Sequence, residues 1–126
     1  MEEMKNKRRN IVPNKCEIWF ANLGQREHGE QGGVRPVMIL QESKVCKTND
    51  KVWVVPFTSR IKAMHLPVHV YIEKDEINKL KKDSILEFEQ IVKIPKTRLL
   101  ERTGGVIDRK HHEKIKKAIN AQFDFT

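Results

Sequence analysis

Cysteine is scarce in this chain: there are two, Cys16 and Cys46. They form no CxxC motif, and no histidine-rich spacing surrounds them. Four ligands at suitable spacing are absent, which argues against a structural metal site. Both cysteines read as free thiols of a reduced, cytoplasmic protein. Aromatic residues make up only 6%. That is few for the stacking platforms of a sequence-tolerant nucleic-acid binder. No apolar run approaches the roughly 20 residues of a membrane helix, so no membrane partner is expected. The start, MEEMKNKRRN, carries charge with no apolar stretch behind it, and reads as no secretory signal. Gly32-Gly33 lacks the GK[ST] ending of a phosphate loop. There is no internal repeat and no βαβ rhythm.

Basic charge is plentiful. The 126 residues hold 25 Lys and Arg against 17 Asp and Glu, a formal net charge of +8. Such an excess favours a polyanionic partner, nucleic acid first. Hydrophobic residues at 38% and charged residues at 33% describe a globular domain rather than a disordered chain. The length suits one domain. Residues 1–15 read as a mobile basic tail, with Lys5, Lys7, Arg8, Arg9 and Lys15. Residues 16–126 read as the single folded unit.

Short β-favouring runs dominate that unit. Strands are predicted over Cys16 to Ala21, Arg35 to Gln41, Val52 to Phe57 and Val68 to Ile72. Ser84 to Ile94 is one long strand or two broken by a bend. A polar loop is expected over 42–51. A short surface helix is expected over 73–82, with Ile77 and Leu80 facing inward. From Ile107 a C-terminal helix follows, with Asp108 as N-cap and His112, Ile115, Ile119 and Phe123 at helical spacing. Many strands and few helices suggest a mainly β (α+β) fold, a small barrel with added helices.

Three stretches carry candidate chemistry. In Glu30 to Val37 (EQGGVRPV), paired glycines turn the chain and Pro36 stiffens the exit. Arg35 is thereby delivered at the lip of a strand, its planar fork of donors suited to phosphate. The alternative is a surface ion pair with Glu30. In Phe57 to Arg60, two hydroxyls, Thr58 and Ser59, precede an arginine where the strand stops at Pro56; they could equally cap a turn. In Leu86 to Ile91, a strand would set Glu87 and Glu89 on one face and Phe88 and Gln90 on the other. Two carboxylates on one face could do acid–base work or form an exposed acidic edge. The loop over 24–34 holds glycines and polar residues, and is expected to be mobile and to close over a bound strand.

These stretches together resemble the MazF/PemK/Kid family of toxin endoribonucleases, the Bacillus EndoA type most of all. The likeness runs from Cys16 to about Leu100, and more weakly into the C-terminal helix. It includes the first strand with Ile18-Trp19, E-Q-x-G-x-R-P at 30–36, T-S at 58–59, L-P-x-H-V at 66–70 and D-S-x-x-x-x-E-Q-I at 83–91. The resemblance implies an SH3-like β-barrel with a C-terminal helix, forming a homodimer. It implies the toxin of a type II toxin–antitoxin system, cutting single-stranded mRNA at short specific sequences with no metal and no cofactor. The ribose 2′-OH would attack the phosphodiester, giving 2′,3′-cyclic phosphate and 5′-OH ends. A cognate antitoxin would block the RNA groove with an acidic disordered tail. Operator DNA would be met only through that antitoxin. Arg35 and Thr58 fall on the catalytic pair. Glu30, Gln31, Leu66, His69 and Gln90 fall on groove positions, with His28, Ser59 and Glu89 as supporting residues.

The chain also departs from the family pattern. Cys16 stands where the family usually has glycine. Gly29 occupies the site of the Kid-type catalytic histidine, one residue after His28. Glu87 and Glu89 replace the Kid-type arginine and aspartate. The Arg35–Thr58 assignment therefore fits better. A guanidinium does not readily give up a proton, so Arg35 reads as an electrostatic clamp and Thr58 as a hydrogen-bonding guide. Glu30 and His28 are the candidates for a general base. Two other functions compete. A CcdB-like gyrase inhibitor would need C-terminal aromatic chemistry, whereas Trp19 and Trp53 lie in strands. A non-catalytic RNA-binding module would use the same basic charge.

Overall fold

The computed structural model describes residues 11–25 and 32–125. Seven strands and two α-helices make up the described part. They are β1 (Glu17–Asn22), β2 (Val34–Ile39), α1 (Ser43–Cys46), β3 (Lys51–Thr58), β4 (His69–Ile72), β5 (Ser84–Glu87), β6 (Val92–Pro95), β7 (Leu99–Val106) and α2 (His112–Gln122). The paired strands are antiparallel, in the order β4-β5-β3-β2-β1-β7, and β6 adds to β3. This is the mainly β architecture expected.

The expected barrel does not close through its ladders, because β4 and β7 end the sheet without pairing. Residues 73–83 bridge part of that gap. The Val106 amide donates to the Ile77 carbonyl at 3.1 Å. Gly105 packs so tightly on the Asn78 carbonyl that a Cβ there would collide with it.

The central strands bury both faces, and alternation sorts their side chains into two cores. One face gathers Ile18, Met38, Val55 and Phe57 with Leu86, Phe88 and the helix residues Ile115 and Ala118. The other gathers Trp19, Ala21, Val37, Ile39, Val52 and Val54 with Leu99. Each fully buried large apolar side chain contributes about 1.5–3 kcal/mol. Both cysteines are free, as expected.

Several expectations need correction. Residues 73–82 form no helix. Asp75 Oδ1 accepts the amides of Ile77 and Asn78, and Asn78 Oδ1 accepts those of Asp75 and Leu80. These side chains offer the backbone a turn in place of helical bonding. Ile77 consequently points to solvent, while Leu80 packs against the first core. Residues 43–46 form the short helix α1, capped by Glu42. Strand β3 does not stop at Pro56. It switches partner there, from β6 through Val54 to β5 from Phe57, so the missing N–H falls at a changeover.

The 84–94 segment is two strands, separated by a 3₁₀ turn at Phe88–Gln90. Strand alternation of Glu87 and Glu89 therefore does not apply. Strand β7 was not anticipated, since Gly104 and Gly105 interrupt its pattern. In the C-terminal region a 3₁₀ turn, Arg109–His111, precedes α2, and Asp108 makes no side-chain cap. Ile115 is buried, but Phe123 is exposed, so the apolar stripe ends a turn early. Of the expected basic tail, residues 1–10 lie outside the described part. Ile11 packs against the second core, and Pro13 is buried.

No helix among the described residues is long and apolar enough to cross a membrane.

Candidate active site

Arg35 is the second residue of β2, reached through a turn that only glycine adopts readily. Gly24 and Gly33 have φ of +73° and +72°. The Leu23 amide donates to the Gly33 carbonyl at 2.9 Å, and the Gly33 amide to the Gly24 carbonyl at 2.8 Å. The base of the 24–34 loop is thus pinned by backbone bonds. Residues 26–31 lie outside the described part, and with them His28, Glu30 and Gln31.

The β2–β3 ladder pairs Val37 with Pro56. Continued by two residues, this register sets Arg35 opposite Thr58, on one face of the sheet. The side-chain bonds agree. Arg35 Nε donates to the Gly32 carbonyl at 3.0 Å, and Nη1 to the Phe57 carbonyl at 3.3 Å. A guanidinium carries five N–H donors. Among the described residues two are engaged, and the other three have no partner there. Thr58 is buried, and its Oγ1 accepts the Arg60 amide at 3.2 Å. Its own hydrogen stays available to another acceptor.

Arg35, Thr58 and Ser59 line one cavity of about 860 Å³. Arg60 and Lys62 join them from the segment after β3. Among the described residues, the lining holds seven cationic side chains and one carboxylate, Glu101. Such a concavity concentrates positive potential and favours an anionic ligand.

Leu66, His69, Glu89 and Gln90 are not in that lining. His69 opens β4, while Glu89 and Gln90 sit on the 3₁₀ turn after β5. His69 Nε2 lies 2.6 Å from Glu89 Oε2, and Nδ1 lies 3.0 Å from the Ala63 carbonyl. Two acceptors facing the two ring nitrogens call for hydrogen on both, the imidazolium form. Burial alone would lower the His69 pKa. The hydrogen bond and charge of Glu89, the Ala63 carbonyl and the charge of Glu87 outweigh it, and the pKa is raised. Leu66 is 39% exposed, in the loop that carries Ala63.

His69, Glu87 and Glu89 have candidate ligand atoms within 4.8 Å of one another, the one such group among the described residues. A direct hydrogen bond already joins two of its three members. The predicted site residues thus divide into a cavity group and a neighbouring corner, linked by the 59–68 segment. The lysines from the 73–83 turn, which also face the cavity, were missed. They sat in what reads as an amphipathic helix.

A family model described as PemK-like, MazF-like toxin of type II toxin–antitoxin system matches residues 14–123. Endoribonuclease MazF of Staphylococcus saprophyticus is 39% identical over 97 residues, 77% of this chain and 80% of that protein. Among solved structures, Mycobacterium tuberculosis toxin MazF-mt6 superposes with a TM-score of 0.72 at 24% identity, covering 87% of this chain and 98% of that one. The MazE–MazF crystal structure (Form-II) from Deinococcus radiodurans superposes at 0.69 with 14% identity, covering 93% and 100%. These two show the shared fold. Neither the gyrase-inhibitor nor the non-catalytic alternative gains support from the matches. The chain belongs to the PemK-like, MazF-like toxins of type II toxin–antitoxin systems.

Proposed function

We propose that this chain, an endoribonuclease of the MazF type, cleaves single-stranded mRNA at short specific sequences without a metal ion. The observation that carries the reading is the shared cavity of Arg35 and Thr58, at adjacent strand ends and ringed by cations. The Arg35 donors that have no partner among the described residues suit the non-bridging oxygens of a phosphodiester. As the 2′-OH attacks, charge builds on those oxygens, and a fixed guanidinium stabilises it. The Thr58 hydroxyl guides the phosphate or the 2′-OH. The products are a 2′,3′-cyclic phosphate and a 5′-OH. Positioning and charge supply the rate.

The partner is a cognate antitoxin, whose acidic tail would compete for the same cationic surface. Operator DNA is met only through it. The toxin acts in the cytoplasm as a homodimer, and sedimentation at micromolar concentration should show about twice the chain mass of 14.8 kDa. The test of function is incubation with a long RNA in excess EDTA. Discrete fragments with 5′-OH ends are expected. Activity that vanishes on chelation and returns with Mg²⁺ or Mn²⁺ would overturn the reading.

A further inference from the structure

The cavity lined by Arg35 and Thr58 is also walled by the turn between β4 and β5. Lys79, Lys81 and Lys82 all contribute to its lining. Their charges are not spent elsewhere: no ion pair engages any of the three among the described residues. Arg102, on the β7 side, is committed differently. It lies 3.6 Å from the Glu17 carboxylate and stacks over the Trp19 ring at 5.1 Å.

Lys79 is the most constrained of the three lysines. Its φ is +56°, a left-handed conformation that costs a non-glycine residue about 1 kcal/mol or more. Its amide donates to the Asp75 carbonyl at 2.9 Å. The preceding residue, Asn78, is 2% exposed and bonds on three sides, to the Asp75 and Leu80 amides and the Glu73 carbonyl. The Lys79 side chain runs beside Gly104, whose φ is +88° and where a Cβ would lie 3.3 Å from Nζ. The turn is therefore docked on a glycine pair of β7 and carries a lysine at a position that would suit glycine better. Backbone conformation alone would favour glycine over lysine there.

We propose that Lys79 binds an RNA phosphate flanking the scissile one, so that the strand crosses the cavity from Arg35 and Thr58 to the 73–83 turn. The chemistry is that of a compact ammonium point charge meeting one phosphodiester. This rests on the reading of Arg35 and Thr58 as the cleavage site.

The experiment uses a short oligoribonucleotide spanning one mapped cleavage site, in excess EDTA. One flanking phosphate at a time is replaced by an uncharged methylphosphonate. Wild type is expected to show one flanking position where the replacement raises KM about 5–10-fold. Lys79→Ala should raise KM similarly on the native oligonucleotide, with kcat held within about twofold. At that same position the methylphosphonate should add nothing further for Lys79→Ala, because the pair has already been broken. The slope of log KM against log salt should fall by about 0.7, one single-stranded phosphate contact.

Lys79→Gly separates binding from folding. Glycine relieves the positive φ, so its melting temperature should equal or exceed that of wild type while KM stays raised. Lys79 variants with wild-type KM and salt slope would overturn the proposal. So would methylphosphonate and Lys79→Ala effects that multiply independently at every position. Arg35→Ala is run alongside. Wild-type kcat in that variant would instead overturn the cleavage-site reading.

Discussion

The Arg35–Thr58 cavity and the His69–Glu89 corner lie at opposite ends of the 59–68 segment and are held by different forces. Arg35 is fixed by ladder register and by two neutral carbonyls, Gly32 and Phe57. His69 is fixed by a charge pair with Glu89 and a bond to the Ala63 carbonyl. Among the described residues, the first arrangement pairs its guanidinium with no carboxylate. The second spends its charge internally, to anchor a loop. A cation held by neutral carbonyls and one held by a carboxylate thus differ in how much charge they leave to offer a ligand.

The sharpest way to break this comparison is to remove Arg35. Arg35→Ala should reduce kcat about 10²–10³-fold with the melting temperature little changed. Arg35→Lys should also be poor, since a point charge lacks the two-pronged contact. The deficit should be flat between about pH 6 and 9, where a guanidinium stays charged. RNA cleavage and thermal melts check both points. An Arg35→Ala enzyme at the wild-type rate would place the chemistry elsewhere.

The 73–83 turn, which lines the same cavity, is seated on β7 by the close approach of two backbones. Gly105→Ala would drive a Cβ into the Asn78 carbonyl. Both partners are backbone and cannot swing aside. A loss of about 3 kcal/mol is expected, by denaturant melts. Gly33→Ala has open space around it but a φ of +72°, so it should lose only about 1 kcal/mol.

The corner should answer to pH where the cavity does not. The His69 pKa is raised in the folded chain. Its pairing therefore stabilises fully below the unfolded value of about 6.5. The contribution is lost as pH rises through the folded value. His69→Gln should be less stable than wild type at pH 6 by at most about 1 kcal/mol, since Glu89 is open to solvent. The two should converge at alkaline pH in parallel urea melts. A gap that persists there would show that packing, not charge, holds the corner.

The smallest effect concerns Cys16, with Cys46 as its contrast. Cys16 has a φ of +73°, a left-handed conformation that glycine adopts more readily than cysteine. Cys16→Gly should change stability by less than about 1 kcal/mol, because relief of the backbone offsets the lost side chain. Cys46 is fully buried on α1. Cys46→Gly should cost about 2 kcal/mol or more, in the same melts.

Much of this was legible from residue order. The apolar runs of β1, β2 and β3 announce strands because their side chains fill cores on both faces. The spacing around Arg35 and Thr58 singled out a candidate site because glycine and proline punctuate the chain there. The 73–82 segment misled because Ile77 and Leu80 mimic a helical face, while Asp75 and Asn78 redirect the backbone through their side chains. Strand β7 was hidden because it borrows its order from β1: its pairing is bulged, and its glycines serve a neighbour rather than a strand pattern.

Sequence by itself determined the strand-rich fold, the basic charge, the paired glycines that free the chain before Arg35, and the family. These depend on local preference and composition, which each residue carries with it. Tertiary structure alone decided that Arg35 stands opposite Thr58, that His69 meets Glu89, and that Lys79 faces the cavity from a turn docked on Gly104 and Gly105. Those juxtapositions join residues far apart in the chain. They exist only once ladder register and close backbone approach have set the distances between them.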